Sequence, residues 1–91
     1  MNIKSLYQSF KECNSTIDID SRSISKGSMF FSIKGENFNG NEFAIEALNN
    51  GSKIAVVDSN DLNFENYDNI IKVNDALKTL QDLALFHRKN I

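Results

Sequence analysis

Proline is absent, cysteine occurs once, glycine only four times, and no apolar run approaches membrane-spanning length. Each shortage excludes something. One thiol, Cys13, cannot close an internal disulfide, and one histidine with one cysteine offers no metal-ligand spacing. The N-terminus lacks the charged-then-apolar layout of a signal peptide. Charge of one sign is missing too. Ten Lys+Arg against 12 Asp+Glu leave a net charge of −2, with signs interspersed and no basic stripe. Nucleic acid is therefore a poor partner, since domains that bind it usually carry such a stripe. No membrane span, no internal repeat and no low-complexity segment appears, and a reducing, cytoplasmic setting is expected. What is present is ordinary for a globular chain: 91 residues, 41% hydrophobic and 24% charged. That is one domain, with a real but modest core.

The few glycines all fall at boundaries. Gly27 precedes an apolar run, Gly35 follows it, Gly40 closes a polar loop and Gly51 follows a helical pattern. A turn role is sufficient for Gly27 and Gly51. For Gly35 and Gly40 a turn role and close approach of a ligand are equally open.

Periodicity supplies the elements. Ile3, Leu6, Tyr7 and Phe10 recur at i, i+3, i+4, i+7 and predict an amphipathic helix over 3–13. Cys13 at its end reads as a small buried residue, with nothing nearby to activate it. Ile17 and Ile19 alternate with Asp18 and Asp20, which predicts a half-buried strand over 16–19. Met29, Phe30, Phe31 and Ile33 form a run suited to a strand buried on both faces. Phe43, Ala44, Ala47 and Leu48 mark a helix beginning near Asn41, with Asn39 and Glu42 as a capping box and Gly51 beyond its end. Ile54 to Val57 predicts a buried strand, 58–69 a long loop anchored by aromatics, and Ile70, Ile71 and Val73 a last strand. Asn74 or Asp75 then caps a helix expected to bury Leu77, Leu80, Leu83, Ala84 and Phe86 or His87. The order α-β-β-α-β-β-α, with its strand–helix–strand passages, predicts an α/β fold: a small mixed or mostly parallel sheet flanked by helices.

The stretch from Asp20 to Phe43 carries the functional lead. Two polar segments, Asp20-Ser21-Arg22 and Gly35-Glu36-Asn37-Phe38-Asn39-Gly40, are joined by one rigid strand and can face one small polar ligand. Taken alone, Asp20-Ser21-Arg22 is equally an Asx-type turn with a surface arginine. Other chemistry is missing. There is no Gly-x-x-x-x-Gly-Lys-Ser/Thr phosphate loop and no Gly-x-Gly-x-x-Gly, and no carboxylate pair stands out for acid–base work. His87, on a helix beside Arg88, reads as a partly buried structural residue.

In order, Asp20-Ser21-Arg22, Gly27-Ser28-Met29-Phe30-Phe31-Ser32-Ile33-Lys34-Gly35 and Asn39-Gly40-Asn41-Glu42-Phe43 resemble the N-terminal domain of the Mur ligases. Those domains carry D-S-R, G-x-L-F-x-A-x-x-G and D-G-x-x-F in that order. The similarity continues through Ala47 to Val57, like the family's A-x-x-x-G-A-x-x-x-V, and ends in Leu80-Gln81-Asp82-Leu83-Ala84 with His87-Arg88. That last signature is closer to the MurF type than to the MurE type. One departure stands out: the usual acid of the D-G segment is Asn39 here. A role needing a carboxylate is thereby put in question, while a capping role survives.

The resemblance implies a reaction and a site. MurF-type enzymes use ATP to join D-alanyl-D-alanine to a UDP-N-acetylmuramoyl-tripeptide, through an acyl phosphate that the incoming amine attacks, in peptidoglycan precursor synthesis. This chain then corresponds to a single N-terminal substrate-binding domain over 1–91, without the ATP-binding and C-terminal domains. It is expected to be inactive alone and to need no cofactor, with ATP and Mg serving the complete enzyme. By position, Ile19, Ser21 and Glu36-Asn37-Phe38-Asn39 match where MurE-type relatives hold the uridine diphosphate. Ile19 is expected to cover the uracil ring and Ser21 to donate to ribose or phosphate. The loop backbone, freed by Gly35 and Gly40, reads the uracil edge, and Arg22 and Lys34 offset phosphate charge. Expected partners are the UDP-N-acetylmuramoyl-peptide and the remaining domains of the same ligase. A MurE-type ligase domain, or a non-catalytic α/β interaction module, is the alternative.

Overall fold

A computed structural model describes residues 2–35, 38–39, 43–58 and 67–91, with backbone only at 34, 35, 38 and 39. Helix α1 (Ile3–Glu12) starts at Asn2, whose Oδ1 accepts from Lys4 N at 2.8 Å, and buries Leu6, Tyr7 and Phe10 as its periodicity predicts. It ends by leaving the right-handed region: Asn14 and Ser15 take φ of 58° and 52°. Their N–H groups return to Lys11 O and Phe10 O, both at 3.1 Å, which closes a Schellman-type cap.

Strands β1 (Ile17–Asp18), β2 (Met29–Phe31), β5 (Ile54–Val57) and β6 (Ile70–Lys72) form one sheet in the order β1-β2-β5-β6. Every pairing is parallel, with Ile17 opposite Met29, Phe30 opposite Ala55 and Val56 opposite Ile71. Between them β3 (Lys34–Gly35) and β4 (Phe38–Asn39) pair antiparallel as a separate ribbon. The parallel connection from β2 to β5 passes through a helix, α2 (Ala44–Asn49). The step from β1 to β2 is made by residues 19–28 without a helix, and most of the step from β5 to β6 lies outside the described residues.

Period-two burial sorts the sheet into two faces. Met29, Phe31 and Val56 join Leu6, Tyr7 and Phe10 of α1 and Ala76 and Leu83 of α3 (Ala76–Lys89). Phe30, Ala55 and Val57 join Ala44 and Ala47 of α2. The result is three layers, with β2 fully buried on both sides as expected. Helix α2 runs over Ala44–Asn49 with Phe43 at the N-cap and no side-chain cap bond, and the predicted start near Asn41 lies outside the described residues. Glu42 and the Asn39 side chain, expected as its capping box, lie outside the described residues. Helix α3 buries Ala76, Leu83 and part of Leu80, Phe86 and His87, while Leu77 is 48% exposed and Ala84 is exposed. Its cap at Asp75 sets the phase. Position 76 starts the inward stripe, and 77 and 84 fall about 100° round the helix. His87 is structural as read: its Nδ1 lies 2.9 Å from Tyr7 Oη, tying α3 to α1.

Candidate functional site

Because β1 and β2 are parallel neighbours, both leave the sheet at the same edge, and the two polar segments singled out in the sequence follow them directly. The carboxyl ends of parallel strands are where open α/β sheets bind ligands. The topology therefore brings Ile19-Asp20-Ser21-Arg22 and the start of the segment after β2, at Lys34–Gly35, to one side of the molecule.

After β1 the chain turns at once. Asp20 Oδ1 accepts from Arg22 N at 2.9 Å and Asp20 O from Ser23 N at 3.1 Å, which is the Asx turn allowed by the sequence. Arg22 folds back on the same carboxylate, Nε at 3.2 Å and Nη2 at 3.3 Å. Hydrogen bonds from Arg22 hold the Asp20 carboxyl below its ordinary range, and Asp20 in turn raises the guanidinium. Both side chains are well exposed, so the pair adds little to stability. Arg22 therefore has to exchange its own carboxylate for any phosphate it meets. Ile19 is 53% exposed, because the chain leaves the sheet after Asp18 and the predicted strand stops short of it. An exposed isoleucine at a strand's carboxyl end suits a cover for a ring.

Ser21 differs from its neighbours. It is 3% exposed, and its carbonyl accepts from Asn50 Nδ2 at 2.8 Å. Among the described residues its hydroxyl has no hydrogen-bond partner, which leaves a donor and an acceptor available.

On the other strand, Ser32 anchors the exit of β2: its N and Oγ both donate to Val56 O, at 3.0 and 2.9 Å. The polar loop expected next is a hairpin. Lys34 pairs with Asn39 and Gly35 with Phe38. Glu36, Asn37 and Gly40 lie outside the described residues, as do the side chains of Lys34, Phe38 and Asn39. A two-stranded ribbon leaves backbone donors and acceptors unpaired on its outer edges. That suits the expected reading of a uracil edge by main-chain groups.

Sequence reasoning missed two features around this edge. Asn50, which the sequence marks as no more than the end of a helical run, reaches Ser21. Asp58, at the end of β5, accepts from Ala76 N at 2.8 Å and shares the start of α3 with Asp75, which accepts from Lys78 N at 3.1 Å. That helix terminus is thus satisfied by the protein's own carboxylates. Two clefts lie elsewhere. One of about 300 Å³ is lined by Lys72, Asn74, Asp75 and Lys78, and one of about 320 Å³ by Phe10, Ile17, Leu83 and His87. Neither is lined by Ile19, Ser21 or Arg22.

The pattern described as "Mur ligase family, catalytic domain" matches residues 15–88. The chain belongs to the Mur ligase family. Residues of this Mur ligase chain are 37% identical over 84 positions to a UDP-N-acetylmuramoyl-L-alanyl-D-glutamate–2,6-diaminopimelate ligase of Clostridium botulinum, covering 86% of this chain and 17% of that one. They are 32% identical over 78 positions to the UDP-N-acetylmuramoyl-tripeptide–D-alanyl-D-alanine ligase of Rickettsia prowazekii, again 86% and 17%. The crystal structure of the MurF ligase from Thermotoga maritima, in complex with ADP, superposes with a TM-score of 0.73 at 29% identity, over 84% of this chain and 17% of that chain. The N-terminal-domain resemblance and the α/β fold are both borne out, with MurE and MurF types among the relatives. This Mur ligase chain spans 15–18% of the length of the curated relatives it matches.

Proposed function

We propose that the chain binds the UDP-N-acetylmuramoyl-peptide substrate of a Mur ligase in peptidoglycan precursor synthesis, as that ligase's N-terminal domain. The observation that supports this is the shared carboxyl edge of β1 and β2, from which the Ile19–Ser21 turn and the β3–β4 ribbon both follow. The relatives' names support the ligand: they differ in the amino partner and share the UDP-N-acetylmuramoyl group. In this reading Ile19 covers the uracil face, Ser21 Oγ serves ribose or phosphate, and the hairpin backbone, from Gly35 through Glu36-Asn37-Phe38-Asn39 to Gly40, reads the base edge. Arg22 and Lys34 balance the diphosphate, and the remaining domains of the ligase complete the site in the cytoplasm.

The added group is D-alanyl-D-alanine in the MurF reading, which the Leu80-Gln81-Asp82-Leu83-Ala84 signature and the Thermotoga neighbour favour. The diaminopimelate-type reading is favoured by the 37% identity to the Clostridium ligase. Although the family description includes the words "catalytic domain", this chain's own residues do not suit ATP and Mg. No phosphate loop occurs in the sequence, and no His/Cys/Asp/Glu group among the described residues has the arrangement of a metal site. The chain by itself binds and presents substrate, and the acyl-phosphate chemistry belongs to the rest of the ligase. Among the described residues no helix is long and apolar enough to cross a membrane.

Titration of UDP into the labelled chain tests the site. Amide shifts should cluster at 19–22 and 34–41, with weak affinity because one wall of the complete site is present. Shifts confined to other segments would overturn it. Comparing the UDP-N-acetylmuramoyl-tripeptide with the corresponding dipeptide in the complete ligase then separates the two amino-partner readings.

A further inference from the structure

We infer that Asn50 is a positioning residue for the substrate edge, and that the last turn of α2 sets the Ser21 segment by holding the 19–28 connection at two points. This rests on reading Ser21 and the hairpin as the UDP-binding edge. Asn50 is the C-cap of α2 and an exposed residue, yet its Nδ2 donates to Ser21 O at 2.8 Å. The next residue, Gly51, accepts at its carbonyl from Gly27 N at 2.7 Å. Two consecutive residues thus bind the connection near its beginning and at its end. Between those points Asp18 Oδ2 accepts from Ser25 N at 2.8 Å and Asp20 closes its turn on Arg22 and Ser23.

The clamp is itself rigid. Ser52 N returns to Ala47 O at 3.0 Å and Gly51 N to Leu48 O at 3.2 Å, the paired bonds of a Schellman cap, with Gly51 at φ +119°. Ser52 Oγ then bridges Ser28 O and Ile54 O, at 3.0 and 2.9 Å, fastening the turn to β2 and β5. Ala44 and Ala47 are fully buried against the sheet. An amide is needed for the bond to Ser21 O. A carbonyl acceptor demands a donor, and the isosteric carboxylate of aspartate offers none.

The test uses the 91-residue chain and follows UDP and uridine titrations by amide shifts, the uridine arm removing any effect of charge on the diphosphate. Asn50→Asp should weaken both ligands about three- to tenfold, the worth of one hydrogen bond. Asn50→Gln, which keeps the donor, should stay closer to the unsubstituted protein than Asn50→Ala does. Without ligand, Asn50→Asp should quicken amide exchange at Arg22, Ser23 and Ser25 while Ala55 and Val73 in the sheet stay protected. A folded Asn50→Asp protein that binds UDP as tightly as the unsubstituted chain would overturn the positioning role and leave the UDP site standing. Absence of UDP shifts at 19–22 in the unsubstituted chain would instead overturn the substrate reading, and this inference with it. If Asn50→Asp does not fold, equal UDP affinities for Asn50→Ala and Asn50→Gln overturn the positioning role.

Discussion

Ser28 enters β2 with its side chain sealed from solvent, and its Oγ has no hydrogen-bond partner among the described residues. Its carbonyl, by contrast, accepts from Lys53 N at 2.8 Å and Ser52 Oγ at 3.0 Å. Removing the hydroxyl leaves those backbone bonds untouched and relieves a buried polar atom that lost its water for nothing. Ser28→Ala should therefore stabilise the domain by about 1 kcal/mol, read as a higher urea midpoint at unchanged slope. A lower midpoint would mean that the hydroxyl is hydrogen-bonded. Cys13 shows the same low-polarity interior acting on a thiol. Burial pushes its pKa up, outweighing the opposite pull of Lys53, so the thiol stays protonated at neutral pH. The reading of Cys13 as a small buried residue agrees with this.

Helix α1 ends in two consecutive non-glycine residues of left-handed conformation, Asn14 and Ser15. Asparagine tolerates that region and serine does so less well, at a cost on the order of 1 kcal/mol. Glycine would remove the strain while adding freedom to the unfolded chain, and the two effects partly cancel. Ser15→Gly should still raise stability by about 0.5 kcal/mol, and Asn14→Gly by less, measured from thermal unfolding of both variants. A fall in stability for Ser15→Gly would show that its side chain supplies a contact worth more than the strain. Helix α2 is the opposite case. It has six residues and no side-chain N-cap bond, which is too short to persist in isolation. It is helical because Ala44 and Ala47 pack against Phe30, Ala55 and Val57.

At the scale of the whole molecule, that α2 side is the thinner of the two cores among the described residues. Among the described residues Phe30 is the one aromatic in its buried cluster, whereas the opposite face combines Leu6, Phe10, Met29, Phe31 and Leu83. A parallel sheet needs both faces covered. Phe30→Ala should cost about 3–5 kcal/mol, a large part of the roughly 5–10 kcal/mol that a domain of this size holds. Denaturant unfolding checks this, and a loss under about 1 kcal/mol would show that α2 is not packed through Phe30. Much of this architecture was legible beforehand. The i, i+3, i+4, i+7 spacing of Ile3, Leu6, Tyr7 and Phe10, the unbroken apolar run at Met29 to Phe31 and the asparagine–glycine end of α2 each encode a local preference that tertiary packing did not override. The ordered polar segments also carried the family. What the sequence by itself determined, then, is where the longer elements lie and which faces α1 and β2 bury, because those follow from side-chain periodicity within a few residues. Tertiary structure alone decided the all-parallel strand order, the hairpin in place of an open loop, the cap that Asp58 places on α3 and the hold of Asn50 on Ser21. The last of these joins residues 29 apart in the chain, and such a bond leaves no mark in local spacing, since its partners are chosen by how the layers stack.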